Sequence, residues 1–405
     1  MNIEIRPARA DEMEQMGAVG AYVYSGSFGD TPDNIIAQSN QPEWTLCAFA
    51  DGRMVSSYSA IPFTMRANGK AVALAGVSAV GTLPEFRRMG IIRRITTQSF
   101  ADMRERGQSV AALWASQAAI YQRYQYALVT MQRSYTVDTV DIRFHDADAG
   151  AGDVRRIDLE SGYDIIKSLY IQFVADRMCY IHRAKPLWLH NVLEERSEDG
   201  PAHIAICNDA TGQPCGYIVY TVRAGRVDHP ARSAELLIRD LVWLTPDAYR
   251  SLWSFVARHD LVGRVRWQSA AVDDPAEELF FEPRLLGAQN REGIWLRIVD
   301  APSALATRGY DAEGSISISI HDDALAPWNN GVFRLDAAPE GAEVSITSGE
   351  GDIRLGSKAL ASLYTGFRSA RELAAWGLLE GSTAAVRSAD AVFATRHAPH
   401  CPDHF

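Results

Sequence analysis

Cysteine is scarce in this 405-residue chain: Cys47, Cys179, Cys207, Cys215 and Cys401, odd in number and scattered. They offer neither a disulfide framework nor the paired spacing of a metal site. No apolar stretch approaches the roughly 20 residues that cross a bilayer, and the opening Met1-Asn2-Ile3-Glu4-Ile5-Arg6 lacks a signal-peptide hydrophobic region. A cytoplasmic protein with no membrane partner is expected. Positive charge is also in short supply. Forty Lys and Arg against fifty Asp and Glu leave a net charge of −10, which argues against a nucleic-acid partner, since that affinity rests on phosphate neutralisation. It favours cationic substrates only through long-range steering. What is present, 47% apolar and 22% charged residues, describes an ordinary globular protein of two or three domains.

The most informative stretch is Val80-Gly81-Thr82-Leu83-Pro84-Glu85-Phe86-Arg87-Arg88-Met89-Gly90-Ile91-Ile92-Arg93. An apolar run from Ala71 to Val80 stops at a proline, and a helical pattern opens at Ile91. The first amides of a helix have no intrahelical partner, and the macrodipole adds partial positive charge there. Arg87, Arg88, Arg93 and Arg94 add full charges, and Gly90 lets a ligand approach the backbone. Those are the needs of a pyrophosphate. The segment matches neither G-x-x-x-x-G-K-[ST] nor G-x-G-x-x-G; the plainer alternative is an arginine-rich surface loop.

Residues 1 to 144 alternate helix and strand. Val55–Met65 and Ala71–Val80 flank Asn68-Gly69, a strong hairpin signal. The helix after the arginine loop carries Ile91, Ile92, Ile95, Phe100 and Met103 and closes at Gly107; Val110–Ala115 then reads as a buried strand and Gln117–Tyr124 as a helical turn. Small polar residues from His145 to Asp153 suggest a linker. Beyond it, strands are expected at His203–Cys207 and Tyr217–Val222. Leu236–Leu244, a proline, a helix from Ser251 to His259 and a strand at Val265–Gln268 repeat the first domain's order without its glycine or arginine cluster. This reads as a second copy lacking the phosphate loop, with a coincidence of common α/β order as the alternative. From about Ala301 the pattern changes: strict alternation over Ser315–Ile320, strands at Val332–Leu335 and Val344–Ile346, a Ser369…Glu372 capping box before a helix at Leu373–Leu379, and a last helix at Thr383–Phe393.

The loop Arg87-Arg88-Met89-Gly90-Ile91-Ile92 resembles the acetyl-CoA loop of the GNAT acetyltransferases, R/Q-x-x-G-x-G/A, departing at its last position. With Ala115-Ser116-Gln117-Ala118-Ala119-Ile120-Tyr121-Gln122-Arg123-Tyr124-Gln125-Tyr126, the chain resembles the Eis (enhanced intracellular survival) family of GNAT N-acetyltransferases. Gly293–Ile298, Ala304–Tyr310 and Leu360–Gly366 continue the likeness in order to the chain's end. The resemblance implies a mixed α+β and α/β protein of three domains: a GNAT domain at 1–144, a degenerate GNAT-like domain at 153–298 and a sterol-carrier-like α+β domain at 299–405 that supplies a catalytic C-terminus. It also implies a homohexamer.

Carried over by residue, the resemblance places acetyl-CoA, the co-substrate, on the strand backbone of Val80, Gly81 and Thr82. Its pyrophosphate falls on Arg88, Met89, Gly90, Ile91, Ile92 and Arg93, and its pantetheine region near Ser116 and Gln117. Tyr121 falls on the family's general acid, and the terminal carboxylate of Phe405 on its general base. A phenol with a pKa near 10 suits protonation of a departing thiolate. On the residues alone Tyr121 also reads as a core tyrosine, and Tyr124 and Tyr126 compete with it. His404 stands where the family often has glutamate, against an acidic, aminoglycoside-sized pocket. His397, His400, Cys401 and His404 resemble metal ligands by type, but Pro399 and Pro402 break their alignment, and no metal is expected. The activity implied is direct acetyl transfer to a primary amine, as in aminoglycosides, polyamines or lysine. The alternatives are a non-catalytic acyl-CoA or lipid-binding protein, or a transferase of a longer acyl chain.

Overall fold

The computed structural model describes residues 2–25, 40–145, 152–194 and 199–405. Three sheets organise the chain. In the first, the strands run in the order Ile3–Arg6, Cys47–Ala50, Arg53–Ala67, Lys70–Thr82, Val110–Trp114, Ile294–Ile298 and Ala127–Leu128, with Met178–Ile181 paired on the outer part of Arg53–Ala67. Asn68 and Gly69 form the expected turn, both with positive φ (51° and 93°), as a two-residue hairpin requires.

Lys70–Thr82 and Val110–Trp114 pair in parallel and are joined by the helix Ile91–Glu105, which buries Ile91, Ile95, Phe100 and Met103. The second sheet contains the same unit. Ala234–Trp243 and Val262–Ala270 are parallel, joined by the helix Pro246–Ala257. This helix begins five residues before the expected Ser251. Thr245 accepts the Ala248 amide at 3.2 Å and Pro246 stands at the first helical position, so the cap sets the start. The third sheet runs Gly341–Thr347, Gly331–Ala338, Gly314–His321, Ile353–Gly356, Leu379–Gly381. The capping box at Ser369 and Glu372 is present, but its helix spans Ala370–Ala375; Gly377, at φ 71°, ends it and frees Leu379 to pair as a strand. The last helix, Thr383–Phe393, lies where expected.

The sheets do not respect the boundaries expected at 144, 153 and 298. Met131–Asp138 leaves the first domain's sequence range and pairs with Val262–Ala270 in the second sheet. Ile294–Ile298, from the end of the second range, inserts between Val110–Trp114 and Ala127–Leu128 in the first. The reason lies in its composition: Ile-Trp-Leu-Arg-Ile is buried at every position, and only a strand with neighbours on both edges and both faces accommodates that. The expected linker at His145–Asp153 lies mostly outside the described residues.

One continuous apolar core runs from Met65, Leu74 and Val110 to Ile316, Leu355 and Phe393, so the third domain packs directly on the first. Two buried arginines fix this junction. Arg297 is ion-paired with Asp323, whose carboxylate also accepts Ser357 Oγ at 2.9 Å. Arg308 donates to four carbonyls, those of Tyr364 (2.8 Å), Gly309 (2.7 Å), Phe393 (2.8 Å) and Ala394 (3.4 Å).

Candidate active site

The parallel pairing between Lys70–Thr82 and Val110–Trp114 covers only Leu74–Gly76 against Val110–Ala112. Past it the two strands part. The strand Lys70–Thr82 is further bent by a register shift opposite Ser57–Ser59 and by Ala79, which holds a left-handed φ of 52°. A non-glycine residue there costs on the order of 1–3 kcal/mol and is kept only where its surroundings enforce it. Here the Tyr24 hydroxyl donates to the Val80 carbonyl at 2.8 Å, taking a group the bulge would otherwise leave to water. The opened wedge is one side of a cavity of about 640 Å³.

Four of the expected site residues line that cavity: Val80, Ser116, Tyr121 and Phe405. Gly81, Thr82, Gln117 and the 88–93 loop do not. Gly81 instead packs toward Ser57, Val19 and Val23, where an added Cβ would lie 3.3–3.5 Å from their side chains, a tight fit. The loop leaves the strand end through Arg87, whose Nε donates back to the Thr82 carbonyl at 2.9 Å. Arg88 and Gly90 both have positive φ (63° and 75°), and the turn they make exposes Arg87, Arg88, Met89 and Gly90 ahead of the helix. That helix has no side-chain cap and no acidic residue in its first turn. Ile91 and Ile92 pack into the core, so they have backbone amides alone to offer, whereas Arg93 is exposed.

The three competing tyrosines separate cleanly. Tyr121 is buried on the short helix Ala118–Gln122 and reaches the cavity. Tyr126 lies behind it, edge-on at 6.2 Å and against Phe100, away from the cavity lining; Tyr124 is half-buried and also outside it. Burial pushes the Tyr121 phenol well above its ordinary value, with Ser116 hydrogen bonding opposing the shift. The phenol is therefore protonated throughout the neutral range and able to donate.

The chain's end comes to the same cavity. From Ala394 the tail has neither helix nor strand, yet nearly every residue is tied. Arg396 pairs with Asp311 (2.6 Å), and the Ala398 amide donates to Asp273 (3.0 Å). The His400 amide donates to the Met178 carbonyl, and its ring nitrogens lie 3.0 and 3.3 Å from the Ser269 and Met131 carbonyls. Gln132 Nε2 donates to the Cys401 carbonyl (3.2 Å). Asp403, fully buried, accepts from Arg183 Nε at 2.7 Å, and Trp114 Nε1 donates to the Asp403 carbonyl at 3.0 Å. Arg183 also pairs with Asp240, which accepts the Tyr217 hydroxyl at 2.7 Å. Trp114 stacks on His404 (centroids 3.9 Å, 19°), and the Phe405 ring meets Phe63 at 5.1 Å. A Cβ on Gly76 would lie 2.3 Å from Phe63 and 2.9 Å from Phe405, so that glycine makes the slot for both rings.

Sequence reasoning missed several lining residues: Tyr24, Asn40, His190, Arg291, Glu292 and the face of the helix Met13–Val23 formed by Met13, Met16, Gly17 and Gly20. The available signal was Gly17 and Gly20, three apart in a helix; a Cβ on Gly17 would meet nothing within 4 Å, because that face borders open space. The tail's metal-like residues are spent otherwise: His400 on carbonyls, Cys401 toward the Asp403 carbonyl at 3.6 Å, and His397 between Asp176 and Asp273. Among the described residues no cluster of three or more His, Cys, Asp or Glu is arranged to hold a metal.

Comparison with known proteins bears on the family and the fold. Residues 4–129 and 179–298 each match a family described as Acetyltransferase (GNAT) domain, and 301–402 match Sterol carrier protein domain. The chain is 30% identical over 329 residues to N-acetyltransferase Eis of Mycobacterium tuberculosis, covering 79% of this chain and 78% of that protein. The chain belongs to the Eis family of GNAT N-acetyltransferases. An N-acetyltransferase of Streptomyces avermitilis is 31% identical over 376 residues, 90% of this chain and 89% of its own length. The crystal structure of Eis1 from Mycobacterium abscessus superposes with a TM-score of 0.84 at 26% identity, over the whole of both chains. As an Eis-family member this chain is an N-acetyltransferase with tandem GNAT-like domains and a sterol-carrier-like third domain. No helix of the described residues is long and apolar enough to cross a membrane.

Proposed function

We propose that this Eis-family protein transfers acetyl from acetyl-CoA directly to a primary amine, with Tyr121 as general acid and the Phe405 carboxylate as general base. The observation that carries the reading is that Tyr121, from the first GNAT domain, and Phe405, from the far end of the chain, line one cavity. The wedge beside Val80, Ser116 and the exposed arginine loop suits a long thioester with a charged head: uncapped amides and Arg88 and Arg93 for the pyrophosphate, apolar strand ends for the pantetheine arm. In this reading residues 1–144 bind acetyl-CoA, 153–298 form the degenerate GNAT-like domain and 299–405 supply the C-terminus, while each GNAT-like sheet takes a strand from the other's range.

In this scheme the amine nitrogen attacks the thioester carbon, and the N–H proton passes to the Phe405 carboxylate. As the tetrahedral intermediate collapses, the C–S bond breaks and the thiolate takes the proton of the Tyr121 phenol. A carboxylate near pKa 3.5 in water is a weak base, so its main contribution is to orient the amine and accept the proton late. The homohexamer remains part of this reading, to be checked by light scattering. A panel of amines offered with saturating acetyl-CoA, with released thiol as the readout, tests the assignment. Thiol release with one amine class and transfer of the acetyl group to it is the expected result. Acyl-CoA binding with no release across aminoglycosides, polyamines, lysine peptides and simple amines would favour the non-catalytic alternative, and release only from longer acyl-CoA the other.

A further inference from the structure

We infer that Asn191 is a positioning residue for the Phe405 carboxylate, acting through the backbone of His404; this rests on the reading of Phe405 as the base. A terminal carboxylate belongs to the part of a chain with the most freedom, so its use as a base requires the last residues to be held from outside. Asp403 is the last firmly fixed point, locked by Arg183 and Trp114. Only His404 and Phe405 lie beyond it. The Phe405 ring sits beside Phe63 in the slot opposite Gly76. The direction of the peptide between ring and anchor is left to His404, and there both backbone groups are taken by one side chain. The His404 amide donates to Asn191 Oδ1 at 2.9 Å, and Asn191 Nδ2 donates to the His404 carbonyl at 3.1 Å. A primary amide is the side-chain group that presents an acceptor and a donor side by side, as a neighbouring strand would.

Asn191 is itself held. It lies in the π-helical segment Trp188–Leu193, a rare local geometry associated with functional sites. Its Nδ2 also reaches the Leu187 carbonyl at 3.3 Å, and Trp188, fully buried, lies 4.8 Å from the Arg183 guanidinium and edge-on to Tyr170. The segment that clamps His404 is thus braced on the same buried network that locks Asp403. Removing Arg183 would strip two buried carboxylates of their cation and endanger folding; Asn191 is half-buried and makes the cleaner probe.

The test is a double-mutant cycle between Asn191→Ala and a single glycine appended after Phe405, with kcat, acetyl-CoA Kd and Tm for each protein. Asn191→Ala alone is expected to lower kcat about tenfold, with acetyl-CoA Kd within about twofold of the parent. In the extended background it should add less than about twofold, because the carboxylate is already displaced. Carboxypeptidase release of Phe405, followed by mass, should be about tenfold faster in Asn191→Ala at unchanged Tm, a readout independent of residual turnover. Unchanged kcat and unchanged release, or a full tenfold loss in both backgrounds, would overturn the positioning role. If the extended protein keeps parental kcat, the base assignment itself fails, an outcome distinguishable from failure of Asn191 alone.

Discussion

The two GNAT-like halves share a strand–helix–strand unit and differ in what enters the wedge it creates. In the first, the strands part beyond Gly76 and Ala112, and the space beside Val80 and Ser116 stays open as a cavity of about 640 Å³. In the second, the parallel pairing ends at Ile238 and Trp267. Beyond it lies a remnant of about 170 Å³ lined by Leu241–Trp243, Ser269 and, from the tail, His397, His400 and Pro402. The tail fills the second wedge and then continues into the first. The arginine loop is present where the wedge is open; where it is closed, Thr245-Pro246 caps the helix directly. A duplicated fold can therefore keep its sheet and lose its ligand site, because the sheet depends on the apolar strands and the site on the few residues at their ends.

Breaking the chemistry of the open half gives the largest effect. Tyr121→Phe should lower kcat about 10²- to 10⁴-fold with little change in Tm or acetyl-CoA affinity, while Tyr126→Phe, outside the cavity, should stay within about threefold. Breaking the closed half comes next. Arg183→Met leaves Asp240 and Asp403 without their cation inside the protein, and should cost about 3–5 kcal/mol of stability in denaturant titrations.

A milder probe of the closed half is pH. Burial pushes the His400 imidazole down to about 4. Since the folded value lies below the unfolded value near 6.5, its contribution is intact above about pH 6.5 and is lost as pH falls toward 4, by up to about 3 kcal/mol. Urea midpoints measured across that range should show the fall, and His400→Gln should flatten it. The smallest effect separates the two helix starts. Arg88→Ala should weaken acetyl-CoA about tenfold by calorimetry, whereas Arg250→Ala, whose partner is the exposed Asp247 at 3.3 Å, should change it less than about twofold.

Most of this plan was legible in the sequence where local chemistry decides structure. Asn68-Gly69 fixed a hairpin, Ser315–Ile320 alternated as its burial does, and the Pro84–Gly90 stretch marked a helix start. What escaped was set by contacts distant in sequence. Nothing within Ile294–Ile298 says that it belongs to the other half's sheet. Tyr24 and Asn191 carry no motif; each matters because the fold brings a backbone, at Val80 or His404, against its polar group. The helix expected at Leu373–Leu379 forms earlier, over Ala370–Ala375, for a local reason: the capping box at Ser369 sets its start and Gly377 ends it. Asp403 carries no signal of its role either, because a buried ion pair 220 residues apart leaves no trace in spacing.

The central claim is that the second half holds the tail so that the carboxylate of Phe405 stands in the first half's cavity. Steady-state turnover of the protein carrying one extra glycine after Phe405, compared with the parent of verified intact mass and with acetyl-CoA affinity measured alongside, tests it most directly. The expected result is a fall in kcat of at least about a hundredfold with coenzyme affinity preserved. Full turnover in the extended protein would contradict the account.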